Sequence, residues 1–144
     1  IARARGAKTV IGIAGGAEKC KIVTDMYGFD ACLDYKAKNW QDELKTYAPD
    51  GITVHYENVS DEMLLWAFSN MQLYGRAVLC GLAGHYHSEG PPASIALGAL
   101  IRKRASLHGL VVYDFYSKWT EVTDEFAPLV KNGTLKIKED MVAD

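Results

Sequence analysis

Five short apolar runs recur along the chain, at residues 9–14, 31–35, 52–57, 77–81 and 107–113. Most are nearly continuous in apolar residues rather than alternating, the pattern of strands covered on both faces. Their starts fall 20 to 30 residues apart, and the segments between them carry helical spacing. That rhythm leaves little choice of fold, because parallel strands must be joined by crossovers long enough to hold a helix. The helical candidates are residues 18–27, 39–47, 61–71, 93–104 and 123–131. Gly28 follows the first as a C′ glycine, and Asn132-Gly133 ends the last. Ser60 precedes the third as an N-cap, with Asp61 and Glu62 where the helix dipole favours acids. The reading is a doubly wound α/β domain with a parallel sheet.

Composition narrows the functions open to such a domain. With 144 residues, of which 49% are hydrophobic, the chain can bury one core, and one domain over 1–144 is expected. A net charge of −2 gives no footprint for nucleic acid. The longest basic cluster, Arg102-Lys103-Arg104, reads as a helix end. No apolar run approaches the roughly 18 residues of a membrane span, and neither a membrane partner nor a secretory leader is expected. Three widely spaced cysteines argue against a disulfide framework and for a reducing compartment, here the cytoplasm.

In open parallel sheets, ligands sit beyond the carboxyl ends of the strands. The five tips are Gly15-Gly16 followed by Lys19, then Asp34-Tyr35-Lys36, Glu57-Asn58-Val59, the loop from Cys80 through Gly81, Leu82 and Tyr86 to His87, and Val111-Val112-Tyr113-Asp114. They carry a cation, a phenol, an amide, a glycine-bracketed loop and an apolar patch. Together they suit an anionic, aromatic, amide-bearing ligand such as a dinucleotide.

The stretch "GIAGGAEKC" at residues 12–20 bears on which dinucleotide. A carboxylate at that tip would bond the ribose 2′-hydroxyl of NAD and repel a 2′-phosphate. Bare glycines instead let a phosphate approach the backbone beside a helix start, and Lys19 adds a full charge one turn in. On that reading the ligand is NADP. Spacing alone leaves an equal alternative, in which Gly15-Gly16 is only a turn and Lys19 a solvated helix residue.

These residues also carry a resemblance. The stretch 12–36, "GIAGGAEKCKIVTDMYGFDACLDYK", with "ENV" at 57–59, "CGLAGHYH" at 80–87 and "NGTLKIKED" at 132–140, resembles the medium-chain dehydrogenase/reductase superfamily. Within it, the chain is similar to the zinc-independent, NADP-dependent alkenal/one reductases, which include prostaglandin reductases and curcumin reductase-like enzymes. The resemblance implies that Lys19 meets the 2′-phosphate and that Tyr35 packs on the same adenosine-phosphate end. It implies that Asn58 bonds the nicotinamide end and that Cys80, Gly81 and Leu82 run along the cofactor. Tyr86 would reach the substrate side, and Leu110, Val111 and Val112 would offer backbone groups to the carboxamide. The implied reaction delivers hydride from NADPH to the β carbon of an α,β-unsaturated aldehyde or ketone, with Tyr86 bonding the enolate oxygen or assisting protonation. A quinone reductase of the same superfamily, or a nucleotide-binding module without catalysis, is the alternative. The expected assembly is a homodimer.

Two departures stand out. The family loop commonly reads S-Q-Y-N where this chain has Gly84-His85-Tyr86-His87, and a glycine often follows "ENV" where this chain has Ser60. The histidine pair with Glu89 and Cys80 invites a zinc reading, but a catalytic site needs three protein ligands in tetrahedral array, and no metal is expected. Neither a nucleophile elbow nor a phosphate-binding P-loop is present. Finally, "IARARGAK" reads as the end of a first helix leading into the strand from Thr9. The central strand of the sheet and its glycine-rich turn would then lie outside this chain, as would the substrate domain.

Overall fold

Where a connection carries the chain from the carboxyl end of one strand back to the opposite end of the sheet, the next strand pairs in parallel. A computed structural model describes residues 1–86, 97–139 and 141. It divides them between two compact units, residues 1–49 with 115–144 and residues 50–114. All pairings are parallel and helices fill the connections, as the α/β reading requires.

In the first unit, β1 (Ile11–Ala14) pairs with β2 (Ala31–Asp34) in the register Ile11 to Ala31 through Ala14 to Asp34. Between them runs α1 (Ala17–Lys21), which widens into a π-helical turn at Ile22–Met26. The Thr24 hydroxyl in that turn donates toward the carbonyls of Cys20 and Lys21, the back-bonding by which threonine loosens a helix. Gly28 ends the segment at φ +68°, the left-handed stop expected of it. The expected helix at 39–47 is a 3-10 turn, Trp40–Glu43, followed by α2 (Leu44–Tyr47). Residues 1–6 form a turn closed by Gly6 at φ +90°. The helix expected at 123–131 starts earlier, as α5 (Trp119–Lys131), with a salt bridge from Arg5 to Glu125.

In the second unit the sheet order is β3 (Ile52–Glu57), β4 (Met71–Leu79), β5 (Ser106–Gly109). Helix α3 (Asp61–Ser69) buries Leu64, Trp66, Ala67 and Phe68. With Met71, Ala77 and Ala99, the Leu64 and Phe68 side chains form the core, and Ile52, Leu100, Ala105 and Leu107 pack against it. Burying one such leucine or phenylalanine contributes about 1.5–3 kcal/mol. Ser60 caps α3 as expected, its Oγ accepting from the Met63 N–H at 3.2 Å. Helix α4 (Leu97–Lys103) falls within the expected 93–104, whose first four residues lie outside the described ones.

Two boundaries differ from the sequence expectation. Met71, read as the end of a helix, is the first residue of β4, six residues before the expected start at Ala77. The intervening Gln72-Leu73-Tyr74-Gly75 looks like a loop because it is a bulge. The register jumps from Ile52–Met71 to Val54–Arg76, with Tyr74 at φ +64°. At the other end, β5 stops at Gly109 rather than running to Tyr113. Its partner β4 ends at Leu79, so the ladder closes with the Leu110 N–H donating to the Leu79 carbonyl. The chain then turns into a 3-10 helix at Val112–Lys118.

Candidate functional site

The first unit gathers one group of candidate residues at the carboxyl ends of β1 and β2. The Tyr35 N–H donates to the Ala14 carbonyl at 3.1 Å and extends the ladder by one bond. The phenol of Tyr35 then lies over Gly15, and a Cβ on Gly15 would sit 2.6 Å from its Oη. Gly15 therefore makes room for a side chain of its own protein. Gly16 is different, open around its Cα and held at φ +99°. Its N–H donates to Asp34 Oδ1 at 2.8 Å, and the Lys36 N–H donates to the same oxygen at 3.0 Å. A carboxylate from β2 thus takes the Gly16 N–H, while the space around its Cα stays open.

Those two backbone donors hold the Asp34 carboxyl below its ordinary pKa, Gly16 more than Lys36. The lost signal was short-range. An aspartate accepting from the N–H two residues on is an Asx turn, natural at a strand end. Lys19 projects from the first turns of α1, exposed and with no ion-pair partner among the described residues. Cys20 and Cys32 are half-buried free thiols beside one another. Burial, the neighbouring Cys20 and the Asp34 charge push the Cys32 thiol up to about 12.

The second unit gathers the other group, around the carboxyl ends of β3 and β4. Glu57 is 2% exposed and accepts from the Val59 N–H at 2.6 Å and the Ser60 N–H at 3.0 Å. His55, two residues back on the same face of β3, brings Nε2 within 2.8 Å of its other oxygen. Burial alone would raise the Glu57 pKa, but His55 and the two backbone donors outweigh it and leave the carboxyl below its ordinary value. This anchor fixes the turn that presents Asn58. Sequence reading passed over it, although a histidine and a glutamate at i and i+2 of a strand necessarily share a face.

The loop after β4 closes on that turn. The Cys80 N–H donates to the Glu57 carbonyl at 2.9 Å, Ala83 N–H to the Asn58 carbonyl at 3.1 Å and Gly84 N–H to the Val59 carbonyl at 2.8 Å. Gly81 lies between two side chains. A Cβ there would fall 2.5 Å from Asn58 Oδ1 and 2.7 Å from Tyr86 Oη. The Leu82 N–H donates to Tyr86 Oη at 3.3 Å, so the phenol is folded back over its own loop while remaining 66% exposed. Asn58, Gly81, Leu82 and Tyr86 therefore meet, with Cys80 beginning the loop. Leu110 is half-buried beside the end of β4, and Val111 and Val112 are exposed.

Two residues of the zinc reading, His85 and Cys80, are described. His85 bonds Asp61 at 2.7 Å, and the Cys80 thiol lies beside the Tyr56 hydroxyl, whose pKa it raises. His87 and Glu89 lie outside the described residues. Among the described residues no group of three or more His, Cys, Asp or Glu side chains is placed to hold a metal ion. No described helix is long and apolar enough to cross a membrane.

Parallel strands with a lysine and a phenol at one set of tips, and an amide, a glycine and a phenol at another, fit the zinc-binding dehydrogenase family, which matches residues 1–128. The chain belongs to that family. It is 35% identical over 133 residues to a 2-alkenal reductase (NADP(+)-dependent) of Nicotiana tabacum, covering 92% of this chain and 39% of the relative. It is 31% identical over 138 residues to the NADPH-dependent curcumin reductase of Escherichia coli K12, covering 92% and 40%. Among solved structures, CurA from Vibrio vulnificus in complex with NADPH superposes with a TM-score of 0.83 at 29% identity, covering 92% of this chain and 41% of CurA. The chain thus spans about two fifths of the length of the curated relatives it matches. These likenesses bear out the resemblance read from the sequence and its α/β fold.

Proposed function

We propose that this chain is the cofactor half of an NADPH-dependent reductase acting on the carbon–carbon double bond of α,β-unsaturated aldehydes and ketones. The observation that carries the reading is the meeting of Asn58 and Tyr86 across Gly81, with both polar side chains at the carboxyl end of the sheet. The likeness to alkenal and curcumin reductases over 92% of the chain supports it.

The donors of each unit, taken by itself, suit part of a phosphorylated dinucleotide. In the first unit the exposed ammonium of Lys19 offers the charge a 2′-phosphate needs, and the Tyr35 ring offers a face to an adenosine. In the second unit Asn58 supplies an amide that both donates and accepts, and Cys80, Gly81, Leu82, Leu110, Val111 and Val112 offer backbone groups to a nicotinamide. When bound, NADPH supplies the hydride. The protein's part is electrostatic. As the β carbon is reduced, negative charge develops on the substrate oxygen. The Leu82 N–H takes one lone pair of Tyr86 Oη, and the hydroxyl keeps its own proton to donate. A donor aimed at that developing charge lowers the barrier without reorganising.

We further propose that the substrate domain and an additional strand come from elsewhere in the full-length protein. Among the described residues β1 pairs only with β2, and β3 only with β4, which supports this reading. A cytoplasmic homodimer that works without zinc completes the proposal. The test is NADPH consumption by the full-length protein with a short 2-alkenal, with a quinone and with neither. Turnover of the alkenal supports the proposal. Turnover of the quinone alone replaces it with a quinone reductase, and no turnover with intact NADPH binding replaces it with a nucleotide-binding module.

A further inference from the structure

We propose that His85 is a positioning residue, and that its bond to Asp61 sets where the hydroxyl of Tyr86 stands. The inference rests on the reading of Tyr86 as the donor to the substrate oxygen.

The loop that carries Tyr86 is fastened in steps. Backbone bonds from Ala83 to Asn58 and from Gly84 to Val59 tie its first part to the turn after β3. A 3-10 turn at Ala83–His85 follows, with the His85 N–H donating to the Leu82 carbonyl at 2.8 Å. The last residue before Tyr86 is then held by its side chain. The imidazole N–H at Nε2 donates to Asp61 Oδ1 over 2.7 Å, with side-chain exposures of 33% and 17%. A charge-assisted bond of this kind is short and directional, and partial burial protects it from solvent screening.

Asp61 is a sound anchor. It lies in the first turn of α3, whose N-terminus is capped by Ser60 and whose Leu64 and Phe68 are fixed in the core. The position of Tyr86 is therefore referred through His85 to the core of its own unit. Among the described residues the phenol hydroxyl has the 3.3 Å contact with the Leu82 N–H, a weak bond that does not fix a ring 66% exposed. Loss of the His85 side-chain bond loosens the segment that carries Tyr86. The hydroxyl then samples positions in which it does not meet the substrate oxygen.

The test uses the full-length protein and compares wild type, His85→Ala, His85→Gln, Asp61→Ala, Tyr86→Phe and the double variant His85→Ala/Tyr86→Phe. The readouts are kcat with a short 2-alkenal, NADPH affinity by fluorescence titration, and Tm. His85→Ala and Asp61→Ala should each lower kcat about tenfold, since an ångström of misplacement costs up to about a hundredfold. NADPH affinity should stay within about twofold, and His85→Gln, which keeps an N–H donor, should recover most of the rate. Residues acting as one unit are non-additive, so His85→Ala should add less than about twofold once Tyr86 is phenylalanine. An equal loss in the wild-type and Tyr86→Phe backgrounds would overturn the inference, as would wild-type kcat in both His85→Ala and Asp61→Ala. If Tyr86→Phe keeps full turnover, the reading of Tyr86 as donor fails, and the inference with it.

Discussion

Replacing Gly81 by alanine separates what the Asn58–Tyr86 meeting does for activity from what it does for stability. Gly81 is not at positive φ, so an alanine meets no backbone strain there. Its Cβ would sit 2.5 Å from Asn58 Oδ1 and 2.7 Å from Tyr86 Oη, and carbon–oxygen contacts settle at about 3.3 Å or more, so each oxygen must retreat by roughly 0.6 to 0.8 Å. Both are ends of exposed, rotatable side chains, and they can yield at little cost. Stability should change by less than about 1 kcal/mol, within the ordinary range of surface substitutions. The same displacement moves the proposed donor and the proposed cofactor contact together, and turnover should fall about 10- to 100-fold. Gly51→Ala is the control. Its Cβ would strike the Asn70 carbonyl at 2.5 Å, and its φ is +96°, so the clash is with backbone and cannot be relieved by rotation. That variant should lose about 1–3 kcal/mol. The assays are thermal unfolding and steady-state reduction of a 2-alkenal in the full-length protein. Wild-type kcat in Gly81→Ala would refute the reasoning, and so would a stability loss equal to that of Gly51→Ala.

Lys19→Ala should weaken NADPH by about 1.5–3 kcal/mol, the range for hydrogen bonds to charged groups, and leave NADH unchanged; titration with both cofactors decides it, and equal losses would remove the 2′-phosphate role. Glu57 has its folded pKa below the unfolded value, so its contribution to stability is present at neutral pH and is lost as pH falls below about 4. Acid unfolding of Glu57→Gln should accordingly be less steep in that range than that of wild type. With its thiol pushed up to about 12, Cys32 should react more slowly with iodoacetamide at pH 8 than an unperturbed cysteine, as peptide mass mapping would show.

Local sequence determined the elements and the places where the chain turns. Apolar runs marked all five strands, although β3 exposes Val54 and Tyr56 on one face and buries His55 and Glu57 on the other. Ser60 and Gly28 marked helix ends through bonds within a few residues of themselves. The same local logic marked Gly15, Gly16, Lys19, Asn58 and Tyr86 as tip residues. Tertiary structure decided what those residues touch. That Gly15 lies beneath Tyr35, and that Asp34 accepts from the Gly16 N–H, depends on the register of β1 against β2. The start of β4 at Met71 depends on a bulge opposite Ile52, and the end of β5 at Gly109 on where β4 itself ends. The bond between His85 and Asp61 spans 24 residues and exists only because the β4 loop folds back onto the start of α3. Propensity and periodicity act over a few residues, whereas register and loop closure are set by the partners that meet across the fold.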